Sequence, residues 1–208
     1  MNVIFRKIRN HFPLLSLLGG VKCIGVSKIS LLRCLHVRGT NNIIEVHSHL
    51  SKDVQIYIYG NNNHLVIGNN VTFKKGIVWF EDNNCQIKIG EGTTIENAQL
   101  AAAEDNSKLT IGQDCMISSN VRISTTDSHS IIDMTTGNRT NHAKDIVIGN
   151  HVWIAYNVSI NKGSTIGDDS VVAGNTVVTK DVPCNVVVAG IPAVIVKKDI
   201  TWDRKRII

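Results

Sequence analysis

The chain has 208 residues, of which 43% are hydrophobic and only 5% aromatic, with a formal net charge of +5. That length suits one domain, and a core so poor in rings suits stacked small aliphatics better than an ordinary β-sandwich. No apolar run is long enough to cross a bilayer, and nucleic acid is a poor partner because aromatic residues do not interleave with the basic ones.

The basic character belongs to one end. Residues 1–38 carry Arg6, Lys7, Arg9, Lys22, Lys28, Arg33 and Arg38 and no acid. Taking these 7 from the 22 basic residues leaves 15 against 17 acids, a sum of −2 for the remainder. Two readings stand side by side. The segment is an electrostatic landing site for an anionic polymer or for acidic lipid headgroups, or it is a solvated cap that blocks edge pairing. Arg6, Lys7 and Arg9 ahead of leucine-rich residues 14–18 imitate a secretion signal, but Gly19, Gly20 and Lys22 end the stretch and no cleavage site follows. A cytoplasmic location is expected, and five cysteines without paired spacing agree with a reducing compartment. Residues 1–42 read as a basic cap segment with some helix.

Three turns of a long repeat come next. Asn62, Asn84 and Asn106, then Leu65, Ile87 and Leu109, Ile67, Ile89 and Ile111, Gly68, Gly90 and Gly112, and Phe73, Ile95 and Ile117 recur at a spacing of 22. Self-similarity at a fixed period marks a solenoid, whose short unit cannot bury its apolar face alone and stacks on copies of itself. If the basic turn is three hexapeptides, 18 residues, a period of 22 puts four extra residues at one corner. The Asn-rich stretches 61–63 and 83–84 are the expected place for them.

Between Ile123 and Ile148 the beat fails. This loop, residues 124–146, carries Asp127, His129, Asp133, Arg139, Asn141, His142 and Lys144, with Ile131, Ile132 and Met134 suited to packing on a neighbouring subunit. Loops that leave a rigid scaffold are where binding and catalytic groups concentrate. From 148 to 183 the chain then reads IGNHVW, IAYNVS, INKGST, IGDDSV, VAGNTV and VTKDVP. Ile148, Ile154, Ile160, Ile166, Val172 and Val178 are expected inward, one column per face. Val152, Val158, Ser164, Ser170, Thr176 and Val182 are small enough to fill a narrow interior beside them. A helix would need apolar spacings of three and four. Cys115 holds the same fifth position in IGQDCM, so packing is its expected role.

Such hexapeptides followed by VVTKDVPCNVVVAGIPAVIVKK, with TTDSHS and AKDIVIGNHVWIA before them, resemble the left-handed β-helix acyltransferases, the hexapeptide-repeat family that moves acetyl from acetyl-CoA to a hydroxyl or amine. The resemblance covers residues 43 to about 198. It implies an all-β fold, a left-handed parallel β-helix over 43–198 with one protruding loop, followed by a tail at 199–208. It also implies a homotrimer with active sites between subunits and the pantetheine arm lying along the coils. The left hand comes from the resemblance alone, because parallel crossovers in general prefer the right hand.

The histidine of TDSH acts as general base in that family, which carries over to His129. An alcohol is a weak nucleophile at neutral pH, and an imidazole that removes its proton contributes roughly 10²- to 10⁴-fold. Asp127 would hold the imidazole tautomer, as would a backbone carbonyl. Trp153, 24 residues after His129, carries over as a wall for a pyranose, with its N–H near the developing oxyanion. Both Trp153 and Tyr156 are expected beside His129. Tyr156, Ala173, Gly174, Thr179, Lys180 and Lys197 occupy the family's cofactor positions, and Ala155 stands where many relatives have Gly. No cysteine is placed for a covalent acyl intermediate, so direct transfer in a ternary complex is expected. His47 and His49 lack a third ligand and no metal is expected. His129, His142 and His151 lack the close pair of the hexapeptide carbonic anhydrases. DSHSII, TGNRTNHAKDIVIGNHVWI and ITWDRK resemble enzymes that O-acetylate bacterial surface polysaccharides, above all those acting on capsular polysialic acid, so an anionic polysaccharide acceptor is expected. A galactoside, maltose or antibiotic acceptor, a non-enzymatic binding scaffold and a hexapeptide carbonic anhydrase stay open, as does peripheral association with the inner membrane or capsule machinery.

Overall fold

The computed structural model of the chain describes residues 20–25, 31 and 33–208. Short runs of β-branched and small aliphatic residues, broken by Gly, Asn and Asp, form 21 strands among the described residues. They stack as three seven-stranded sheets, and from His64 to Val178 each turn of the chain visits the first, the third and then the second. The first sheet contains Val21–Ile24, Asn42–Val46, His64–Ile67, Gln86–Ile89, Lys108–Ile111, Ile146–Ile148 and Thr165–Ile166. The second contains Leu35–Arg38, Val54–Tyr59, Gly76–Glu81, Ala98–Ala103, Val121–Ser124, Ser159–Asn161 and Val177–Val178. The third contains Thr72–Phe73, Thr94–Ile95, Met116–Ile117, Trp153–Ile154, Val171–Val172, Val186–Ala189 and Val194–Lys198, the last strand antiparallel.

The core is the axis of this β-solenoid. Leu65, Ile87 and Leu109 pair in register, as do Ile67, Ile89 and Ile111, and Phe73, Ile95 and Ile117. All twelve inward positions expected in the hexapeptides are buried, and Ile148 stacks on Ile166, Ile154 on Val172, and Ile160 on Val178. Each such aliphatic side chain contributes about 2 kcal/mol on burial. Cys115 is fully buried among them.

The 22-residue turns take their extra residues in two places. Their second-sheet strands are six residues long, against three and two in the later turns. The rest enlarge the corner that follows, where Asn62, Asn84 and Asn106 adopt left-handed backbone. Side chains stack there too. The Asn61 N–H donates to Asn83 Oδ1 at 3.0 Å and the Asn83 N–H to Asp105 Oδ1 at 2.8 Å.

The coil begins earlier than the expected boundary at 43. Val21–Ile24 and Leu35–Arg38 are already rungs of the first and second sheets, with Leu35 opposite Ile56 and Val37 opposite Ile58. Apolar alternation confined to one turn had no earlier copy from which a period could be read. Arg6, Lys7, Arg9 and Lys28 lie outside the described residues. At the other end Val194–Lys198 folds back on Val186–Ala189 and covers the edge of the third sheet.

Candidate active site

The chain leaves the coil after Ser124 and returns at Ile146. The loop base is closed by the Lys144 N–H donating to the Thr125 carbonyl at 3.0 Å, and two polar anchors hold what lies above it. The first is Glu104, at the corner of the preceding turn. It accepts from Arg139 Nη1 at 2.8 Å and Nη2 at 2.6 Å, from the Thr126 hydroxyl at 2.6 Å and from the Ala143 N–H at 3.2 Å. Burial pushes its carboxyl up, but these donors outweigh it and bring it down to about 2. The second is Lys162, on the following turn, whose Nζ donates to Asp127 Oδ2 at 2.5 Å and to the Asn141 carbonyl at 2.6 Å.

Asn141 joins these anchors to His129. Its buried amide donates to Asp127 Oδ2 at 2.9 Å and to the His129 carbonyl at 2.8 Å, while Oδ1 accepts from the Ile131 N–H at 2.7 Å. On the other side of His129, Ser128 sits at φ +68°, left-handed backbone that costs a residue with a Cβ about 1–2 kcal/mol. It is held by its N–H donating to the Thr126 hydroxyl at 3.0 Å, and by the His129 N–H donating to the Asp127 carbonyl at 2.9 Å. The main chain of His129 is therefore pinned on both sides. Its imidazole is exposed and makes no hydrogen bond or ion pair among the described residues.

Asp127 takes a different place from the one expected. Hydrogen bonds from Lys162, then Asn141, hold its carboxyl below the usual range, so the group anchors the loop instead of meeting the imidazole. Trp153 lies on the third sheet while His129 follows the second, and its N–H is taken by the Ser170 carbonyl at 2.9 Å.

Tyr156, Ala173 and Gly174 do gather, at the corner between the third and second sheets and one turn apart. The Asn175 N–H donates to the Tyr156 carbonyl at 3.0 Å, the atom a Cβ on Gly174 would meet at 3.3 Å. Thr179 and Lys180 stand exposed at the next corner, after Val177–Val178. Lys197 is exposed opposite Val187 on the last strand of the third sheet. The thiols of Cys34, Cys85 and Cys115 are buried and pushed up by desolvation, Cys115 to about 11, which makes them poor nucleophiles.

Three features escaped sequence reasoning. Glu104 and Lys162 look like ordinary corner residues, and the one signal for Glu104 was an acid closing the run of alanines at 101–103. The tail is the third. Trp202 stacks on His151 at 4.2 Å between centroids, donates Nε1 to the His151 carbonyl at 2.6 Å, and lies 6.1 Å from the Trp153 ring. Arg204 secures it with Nε on Asp114 Oδ1 at 3.0 Å and Nη2 on the Cys115 carbonyl at 3.0 Å.

The bacterial transferase hexapeptide family (six repeats) matches residues 145–180. A polysialic acid O-acetyltransferase of Escherichia coli O1:K1 / APEC is 43% identical over 91 residues, 44% of this chain and 30% of that protein, so the chain aligns with under a third of that relative's length. Likeness in three dimensions runs further. The crystal structure of the polysialic acid O-acetyltransferase OatWY superimposes with a TM-score of 0.81 at 32% identity, over 91% of this chain and 92% of that one. That of the polysialic-acid-specific acetyltransferase NeuO gives 0.70 at 34% identity, over 82% and 88%.

Proposed function

This chain belongs to the hexapeptide-repeat acetyltransferases, close to those that act on polysialic acid, and from that premise we propose that it moves acetyl from acetyl-CoA to a hydroxyl of a carboxylated bacterial surface polysaccharide, polysialic acid first among them. One observation carries the reading: a histidine with a free ring on a backbone pinned by Asn141 and by the Ser128 turn, mounted on a rigid coil. In the proposed step the acceptor hydroxyl gives its proton to a His129 ring nitrogen as its oxygen bonds to the thioester carbonyl carbon. The carbon–sulfur bond then breaks, and the leaving thiolate takes the proton from the imidazolium. The transfer is direct, without an acyl-cysteine, a reading supported by the burial of the Cys34, Cys85 and Cys115 thiols in the core.

Tyr156, Ala173 and Gly174 offer the small-residue corner along which a pantetheine arm lies close to the main chain, and Lys180 and Lys197 supply point charges for nucleotide phosphates. Trp153 lies on a different sheet from the strand that leads to His129, and we assign it as the sugar-facing wall of the neighbouring subunit's site in a homotrimer. We assign the reaction to the cytoplasm, a reading supported by five cysteines without paired spacing in the sequence.

The test offers acetyl-CoA with polysialic acid, galactosides or lipopolysaccharide fragments and follows released CoA with a thiol-reactive dye. Release is expected with polysialic acid, and His129→Ala is expected to slow it roughly 10²- to 10⁴-fold without changing molar mass or melting temperature. Undiminished turnover in that variant would place the base elsewhere. No release with any acceptor would leave the solenoid as a binding scaffold.

A further inference from the structure

The outer face of the second sheet carries an arrangement that acetyl transfer itself does not require. Strand register aligns His36, Tyr57, Trp79, Ala101 and Ser124 in one outward column, one residue per turn. With turns about 4.8 Å apart, the column runs roughly 19 Å along the solenoid. Its first part is aromatic. His36 stacks on Tyr57 at 4.5 Å and 10°, the half-buried rings of Tyr57 and Trp79 are 5.2 Å apart, and Tyr59 meets Trp79 edge-on at 5.1 Å. Its second part is small, so a groove drops from Trp79 over Ala101 and Ser124 and ends at Ser128, the residue before His129.

Charge falls where the groove meets the loop. Arg122, beside Ser124 on its strand, is exposed, lines the groove and has no ion pair among the described residues. One acid, Glu81, faces the groove and accepts from Trp79 Nε1 at 3.3 Å, and the Arg38 guanidinium lies 5.1 Å over the Tyr59 ring. Cross-strand ring stacking stabilises a sheet on its own. It explains neither the step down to small residues towards the loop nor a lone guanidinium at the junction.

We propose that this column is a glycan track that feeds the acceptor polymer to the catalytic loop. The rings of Tyr57 and Trp79 take the apolar faces of sugars away from the reacting one, Arg122 pairs two-pronged with a carboxylate, and the groove delivers the reacting hydroxyl past Ser128 to His129. The inference rests on the acceptor class proposed above, and the experiment separates the two.

The His129→Ala protein is offered immobilised polysialic acid, so that binding is read without turnover. It is expected to bind, and adding Trp79→Ala or Arg122→Gln is expected to weaken binding about tenfold. With His129 in place, Trp79→Ala is expected to raise KM for the polymer about tenfold, more than kcat changes and more than KM shifts for a single-sugar acceptor. Unchanged binding in the double variant, no binding by His129→Ala itself, or equal KM shifts on polymer and single sugar would each overturn the track. So would a lower molar mass of the Trp79→Ala protein in light scattering, which would make this face a contact between copies. Polymer binding that weakens with Trp79→Ala in a protein that transfers no acetyl would uphold the track and overturn the catalytic reading.

Discussion

Glu104 shows how one side chain sets the condition under which the loop is in place. Its folded carboxyl lies at about 2 against an ordinary 4.5, so it favours the closed loop above pH 4.5 and loses that contribution as pH falls towards 2. Hydrogen exchange at residues 125–145 is accordingly expected to accelerate across that acid window. Glu104→Gln, which keeps an acceptor but no charge, should flatten the pH dependence and cost the loop about 2 kcal/mol at neutral pH. Asn141 acts through His129. Asn141→Ala is expected to lower kcat with little change in KM for acetyl-CoA, whereas equal loss in both would mean that it only supports the fold. Ser164 is the opposite kind of residue, because its buried hydroxyl has no partner among the described residues. Ser164→Ala should leave the melting temperature unchanged or slightly raised, since it removes an unsatisfied polar group.

At the scale of the element, the turns are spaced by backbone that tolerates no side chain at certain corners. A Cβ on Gly112 would stand 2.3 Å from the Gly149 carbonyl oxygen of the next turn, and both residues are held in ladder hydrogen bonds. Gly112→Ala is therefore expected to cost about 1–3 kcal/mol, read as a drop in melting temperature. The tail is held by equally specific contacts. Trp202 is buried against His151, and its loss is expected both to lower the melting temperature and to loosen Trp153 beside it. A tail of mere solvated residues would leave both unaffected.

At the scale of the whole molecule, one of the exposed apolar patches lies on the loop that carries His129. Ile131, Ile132 and Met134 are at least half exposed at the tip of the loop. Exposed apolar groups gathered on one loop suit a contact between subunits, as in the homotrimer proposed above. On the homotrimer proposed above, Ile132→Lys with Met134→Lys is expected to lower the molar mass in light scattering from that of three chains to that of one and to abolish transfer with it; an unchanged mass would take the loop tip out of the interface. Long-range charge acts at this scale too. Transfer to a long anionic polymer should fall steeply with salt while transfer to a short oligomer changes little, and equal sensitivity would remove the role given to the basic groups.

The inward columns, the 22-residue register and the place of the loop were legible in the sequence, because parallel stacking puts identical positions on top of one another and a periodic core leaves a periodic text. The entry into the coil at Val21 was not, since a single turn has nothing to be compared with. The partners of the loop were not legible either. Glu104 meets Arg139 across 35 residues and Arg204 reaches Asp114 across 90, distances that only the winding of the coil collapses. For the same reason the sequence named His129 and Trp153 as a pair, while their faces around the axis were decided by the tertiary fold. That fold puts Trp153 on the third sheet and hangs the loop of His129 from the end of a strand of the second.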